Sequence, residues 1–187
     1  MKIIPFYKDE KQLIKRAVSG EPSAQRHLYE KYAPKMLGVC RRYIGDLQFA
    51  EDVMVGGFVK VFKNLHTFRG QGSFEGWIRR IMVRESISYL RKRQFVVYDG
   101  DLFEKVGPPS TRDAMEFDVE HIQRLIDGLP EGYRTVFVLH AIEGYKHQEV
   151  AEMLDISEST SKTQYFKARK WLQQKFKEQN IIGYGTE

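Results

Sequence analysis

The stretch from Tyr145 to Phe176, YKHQEVAEMLDISESTSKTQYFKARKWLQQKF, constrains this chain most. It reads as a short helix from about Lys146 to Leu154, a tight turn at Asp155-Ile156, and a longer basic helix. Val150, Ala151 and Leu154 recur at helical spacing and form the inward stripe of the first helix, with Ala151 small where two helices must cross. Asp155 stands where such turns take a positive φ, which Asp tolerates better than most residues. Ser157 is a good N-cap, and Glu158 suits the positive end of the helix that follows. In that helix Ser161, Tyr165, Ala168 and Leu172 can face inward. Ser159, Lys162, Thr163, Phe166, Lys167 and Lys170 then point outward and mix cations, hydroxyls and one aromatic. That is the chemistry needed for phosphates and base edges in a major groove, and the pair of helices has the spacing of a helix-turn-helix. A solvated helix in a small bundle would carry a similar stripe, so the rest of the chain has to decide between the two.

The 187 residues suffice for one domain or two small ones. A net charge of +5 points only weakly to a polyanionic partner, but its distribution says more. Between Lys60 and Arg93 the cations outnumber Glu75 and Glu85, the only acids there. Cys40 is the single cysteine and lies among apolar helical positions, which excludes an intrachain disulfide and fits a small core residue in a reducing compartment. The N-terminus has too short an apolar run for a signal peptide, and no stretch is long enough to span a membrane. A cytoplasmic protein is expected.

In chain order, Asp9 caps a first helix that ends near Ser19-Gly20, and Pro22 opens a long one to about Ile44. Pro34 lies inside that helix, so a kink or break near Ala33 is expected as an option. Asp46 caps a helix from Leu47 to about Leu65 with its apolar side on Ala50, Val53, Met54, Phe58, Val61, Phe62 and Leu65. Gly56-Gly57 in its middle costs roughly 1 kcal/mol per glycine relative to Ala. Close helix approach, a partner's backbone or a tolerated weak point would each account for it. The loop HTFRGQG carries Phe68, Arg69 and Gln71, and Ser73 caps a helix from Phe74 to about Arg93. Aromatics such as Phe74 and Trp77, interleaved with Arg79, Arg80 and Arg84 beside a glycine-rich loop, resemble a surface that stacks single-stranded bases. Phe74 and Trp77 as ordinary core fits the same pattern.

From Gln94 to about Met115 the helical pattern stops and acids replace cations, which reads as a linker. Helical spacing resumes from Glu116 to Asp127 with Phe117, Ile122, Leu125 and Ile126 inward. Arg134 to Ile142 is apolar nearly all round and should be the buried helix of a small bundle. The expected fold is all-α, with two small helical domains at 9–94 and 116–177 joined by an acidic, flexible linker at 95–115. The second domain is the helix-turn-helix bundle.

The segments AEDVMVGGFVKVFKNLHTFRGQGSFEGWIRRI and LPEGYRTVFVLHAIEGYKHQEVAEMLDISESTSKTQYFKARKWL resemble those of bacterial RNA polymerase sigma factors of the extracytoplasmic-function group, in residue order, spacing and two-domain layout. The resemblance implies a protein that binds core RNA polymerase and directs it to promoters. Lys162, Thr163, Phe166 and Lys167, with the flanking Ser159 and Lys170, would contact duplex DNA of the −35 element. Phe68, Arg69, Gln71, Ser73, Phe74, Trp77, Arg80 and Arg84 would meet the −10 element and its melted non-template strand, where a flipped base in a pocket offsets unstacking. The helix bearing Asp52, Gly56, Phe58, Lys60 and Lys63 would dock on the polymerase. The linker would thread toward the RNA path, and an anti-sigma factor is an expected partner. Five residues depart from the family pattern, among them Ser88, which stands where an acid is frequent. Gly56-Gly57 stands where Gln-Glu is usual, Ser161 where Val is usual, and Gln164 where Arg is common. Gln164 could pair with an adenine edge and alter −35 preference.

No cofactor, metal or catalytic group is expected. His27, His66, His121, His140 and His147 have no partner at ligand spacing such as HxxxH. A DNA recombinase-type enzyme with a C-terminal helix-turn-helix is therefore the weaker alternative. A transcriptional regulator acting without polymerase explains the second domain but leaves the loop and the arginine-rich helix idle, and a scaffold leaves both basic surfaces unexplained.

Overall fold

The computed structural model describes residues 9–97 and 119–178, all of whose regular elements are helical. The chain divides into two compact units, Met1–Val96 and Val97–Glu187. Of the linker expected at 95–115, residues 95–97 belong to the helix Phe74–Val97 and 98–115 lie outside the described residues, as does Phe117.

In the first unit, α1 (Glu10–Val18) starts where the Asp9 carboxylate accepts a hydrogen bond from the Lys11 amide. α2 (Pro22–Tyr43) places Pro22 in its first turn and runs unbroken through Pro34. The break near Ala33 does not occur. Leu28, Tyr32, Met36, Val39, Cys40 and Tyr43 are buried on both sides of the proline, and this shared stripe holds the helix together across the missing hydrogen bond. Burial also pushes the Cys40 thiol up to about 11, which makes it an inert core group.

α3 (Leu47–Lys63) begins at Asp46, whose carboxylate accepts from the Phe49 amide. It ends in a short 3₁₀ turn, Leu65–Thr67. α4 (Phe74–Val97) then runs a few residues further than its apolar pattern indicates. Gly57 sits where α3 meets α4, and a Cβ there would lie 2.4 Å from the Met82 Sδ. Gly56 faces open space. The two adjacent glycines therefore have different causes: one admits a neighbouring helix, and the other leaves the outer surface bare. Lys60 on α3 pairs with Glu85 on α4 at 2.7 Å, and Lys35 on α2 pairs with Glu75 at 2.7 Å.

The second unit holds α5 (Val119–Asp127), α6 (Glu131–Phe137), α7 (His147–Leu154) and α8 (Glu158–Glu178). Leu125 and Leu129 pack on Ala168 and Leu172 of α8, with Tyr133, Phe137 and Trp171 around them. Ile122 is 41% exposed, not inward as its spacing indicates; in α5 the buried positions are Leu125 and Ile126. The apolar run after α6 widens into a π-helical turn, Val138–Ile142, in which the Glu143 amide reaches back to the Val138 carbonyl. Val136 at the end of α6 and Val138 and Leu139 in this turn are fully buried.

Candidate nucleic-acid interface

The turn between α7 and α8 takes the form its residues dictate. Asp155 adopts the left-handed conformation at φ 56° and ψ 48°. The Ser157 hydroxyl accepts a hydrogen bond from the Thr160 amide at 3.0 Å, which caps α8. At the other end, the Lys146 amide donates to the Glu149 carboxylate and closes the first turn of α7. Val150 and Ala151 are buried against α8, whose Ser161, Ala168 and Leu172 point inward.

This packing turns the opposite face of α8 outward. Ser159, Lys162, Thr163, Phe166, Lys167 and Lys170 are all exposed. Phe166 is 66% exposed, a large apolar group left in water on an otherwise polar stripe. Lys162 pairs with Glu158 one turn back at 2.7 Å. This exposed pair contributes little to stability and leaves the ammonium free to exchange partners. Gln164 sits at the edge of this face, half-buried.

Ser161 does more than fill an apolar slot. Its hydroxyl shares a hydrogen bond with His147 Nδ1 at 2.9 Å. The His147 ring stacks on that of His140, and both meet the edge of Tyr165. His140 Nδ1 lies 2.8 Å from the Tyr145 carbonyl and so carries the proton of that bond. Sequence spacing gave no sign of this cluster, because His140 and His147 lie on different elements either side of a turn.

In the first unit the loop before α4 shapes a cleft of about 270 Å³. Gly70 and Gly72 hold φ of +72° and +101°, which lets the loop double back on itself. The Ser73 hydroxyl caps α4 by accepting from the Gly76 amide at 3.0 Å. Phe68, Arg69, Gln71, Ser73, Trp77 and Arg80 line one cleft, joined by Thr67, Gly72 and Gly76, which the sequence did not single out. Phe74 is different. It is only 2% exposed, stacked under Trp77 at 5.8 Å and met edge-on by Phe68 and Tyr32. Its ring supports the cleft from below and cannot itself meet a base. Arg84 is exposed on α4 but is not among the lining residues.

On α3, Asp52, Gly56, Lys60 and Lys63 are exposed. Phe58 is 2% exposed and packs edge-on against Tyr29, so it belongs to the core and not to a docking surface. Its place on the outer face is taken by Val55 and Val59, 49% and 48% exposed. These positions share the helical period of Asp52, Gly56 and Lys63, which groups them on one face without saying that this face meets solvent. Among the described residues no helix is long and apolar enough to cross a membrane.

A model of sigma-70 region 2 matches residues 28–96, and a model of sigma-70 region 4 matches residues 120–172. The RNA polymerase sigma-H factor of Pseudomonas aeruginosa is 28% identical over 173 residues, covering 86% of this chain and 90% of the relative. The ECF RNA polymerase sigma factor SigW of Bacillus subtilis is 26% identical over 182 residues, covering 90% and 97%. The solved sigma factor RpoE of Bartonella quintana, in complex with the anti-sigma factor NepR, shares the fold with a TM-score of 0.55 at 20% identity, over 81% of this chain and 96% of that one. With both region models falling on the two helical units and the relatives spanning nearly the whole chain, this protein belongs to the sigma-70 family, in its extracytoplasmic-function group.

Proposed function

We propose that this chain is a sigma factor that binds core RNA polymerase and directs promoter recognition and transcription initiation, with α8 reading the −35 element as duplex. The observation that carries the α8 assignment is the exposed stripe from Ser159 to Lys170, held outward by a helix-turn-helix whose inner face is closed. The cleft lined by Phe68, Gln71, Trp77 and Arg80 suits a flipped base of the −10 element, with an aromatic wall for stacking and guanidinium groups for phosphate. The exposed stripe of α3 at Asp52, Val55, Gly56, Val59 and Lys63 serves as the polymerase-docking face, where bare backbone at Gly56 permits close approach. The anti-sigma complex of the RpoE neighbour supports a regulator of that class as a further partner.

Reconstituted transcription tests this reading. Purified chain plus core polymerase should initiate from promoters selected out of a genomic library, and no initiation from any fragment would overturn it. Lys162→Ala and Lys167→Ala should each reduce the salt slope of −35 binding by about one unit for every phosphate the variant no longer neutralises. An unchanged slope in both variants would remove α8 as the reading helix.

A further inference from the structure

Beside the outward stripe of α8 lies a recess of about 340 Å³ whose far wall does not come from the helix-turn-helix. That wall is Tyr133, on α6. Lys167 Nζ stands 5.9 Å from the centroid of the Tyr133 ring. Gln164 closes the recess toward α6, its carboxamide so near the backbone that a Cβ on Gly132 would lie 3.7 Å from its Oε1. Ser159, Thr160 and Thr163 complete the lining with hydroxyls, and no carboxylate is among the lining residues.

An ammonium, neutral donors and one aromatic face suit a phosphodiester and its sugar. The cation and the hydroxyls, that of Tyr133 included, can meet phosphate oxygens, and the Tyr133 ring offers an apolar wall to deoxyribose. We propose that Tyr133 is a DNA-positioning residue outside the helix-turn-helix. Together with Lys167 it seats one backbone phosphodiester of the −35 duplex and so fixes the register in which α8 meets the base edges. This inference rests on the reading of α8 as the −35 helix.

The test uses holoenzyme assembled from the full chain and core polymerase, bound to a promoter duplex selected from random DNA by wild-type holoenzyme. Tyr133→Phe keeps the ring and removes one hydroxyl, and should weaken binding about five-fold, the worth of one hydrogen bond. The decrease should be the same for every single-base variant of the −35 element. Uncharged methylphosphonates, introduced one at a time, should reveal one phosphate whose neutralisation weakens wild type but adds nothing to the Tyr133→Phe defect. Lys167→Ala, at an exposed position, should be insensitive to that same methylphosphonate. Undiminished binding by Tyr133→Phe, a decrease that varies with base identity, or additivity at every phosphate would each overturn the assignment. If wild type binds its selected duplex and only these signatures fail, Tyr133 alone is misassigned. If wild-type holoenzyme selects no sequence, the inference falls with the function it rests on.

Discussion

The rings of His140 and His147 stack at 4.0 Å between centroids, with 21° between their planes. One belongs to the π-helical turn and the other opens α7. The contact joins the buried bundle to the helix-turn-helix, and Ser161 of α8 completes it through His147. The Ser at this position therefore replaces an apolar contact with a polar one that has a defined partner.

That arrangement should make the helix-turn-helix acid-sensitive. Burial holds His147 below the usual imidazole range, helped by the nearby His140 and Lys162 and opposed by Glu158. A histidine with a lowered folded pKa binds more protons when unfolded, so its contribution to stability is present above the unfolded value near 6.5 and declines as pH falls below it. Thermal melting of the full chain at pH 7.5, 6.5 and 5.5 should show a falling midpoint. His147→Gln, which can still bond to Ser161, should flatten that dependence. An equally steep profile in the variant would place the acid sensitivity elsewhere.

The two glycines of α3 should respond oppositely to the same substitution. Gly56→Ala adds a methyl group into open space and removes a helix-interior glycine, for a gain of about 0.5–1 kcal/mol. Its melting midpoint should rise by about 4 °C. Gly57→Ala forces the buried Met82 thioether aside, an overpacking cost of about 1–3 kcal/mol that cancels or exceeds the propensity gain. Melting curves of the two variants decide the point. An equal rise in both would show that the contact with α4 does not constrain Gly57.

Much of this was readable from local chemistry. Asp9, Asp46 and Ser157 cap the helices they precede, and Asp155 takes the left-handed turn, because each effect depends only on a residue and its immediate neighbours. The outward stripe of α8 followed from a single helical period. The sequence was ambiguous where an element carries apolar residues on more than one face. α3 buries Phe58 and exposes Val55 and Val59, and periodicity alone cannot say which face meets solvent. The loop aromatics divide in the same way: Phe74 is core, while Phe68 and Trp77 border the cleft. The histidine stack depends on how a π turn presents His140 to α7, which no spacing rule describes.

Asp155 tests the turn. Its left-handed backbone is tolerated by Asp and is free for Gly, but strained for a β-branched residue. Asp155→Val should cost about 1–2 kcal/mol, lowering the melting midpoint by roughly 5–10 °C. Asp155→Gly should leave it near wild type. Equal melting of the Val and Gly variants would mean that the turn relaxes out of this conformation at little cost.

The cleft of the first unit separates support from contact, and substitutions should do the same. Phe74→Ala empties a fully packed position beneath the cleft and should cost about 3–5 kcal/mol, so any promoter defect it causes would reflect unfolding. Gln71 and Arg80 are exposed lining residues. Gln71→Ala and Arg80→Ala should each change stability by no more than about 0.5 kcal/mol. If the cleft takes a base of the melted strand, these two variants should still form holoenzyme and bind a −35 duplex. They should open the promoter less, read as weaker permanganate reactivity of unpaired thymines around −10. The comparison is internal, because the same holoenzyme preparations report both duplex binding and opening. Wild-type opening by both variants would mean that the non-template strand does not use this cleft.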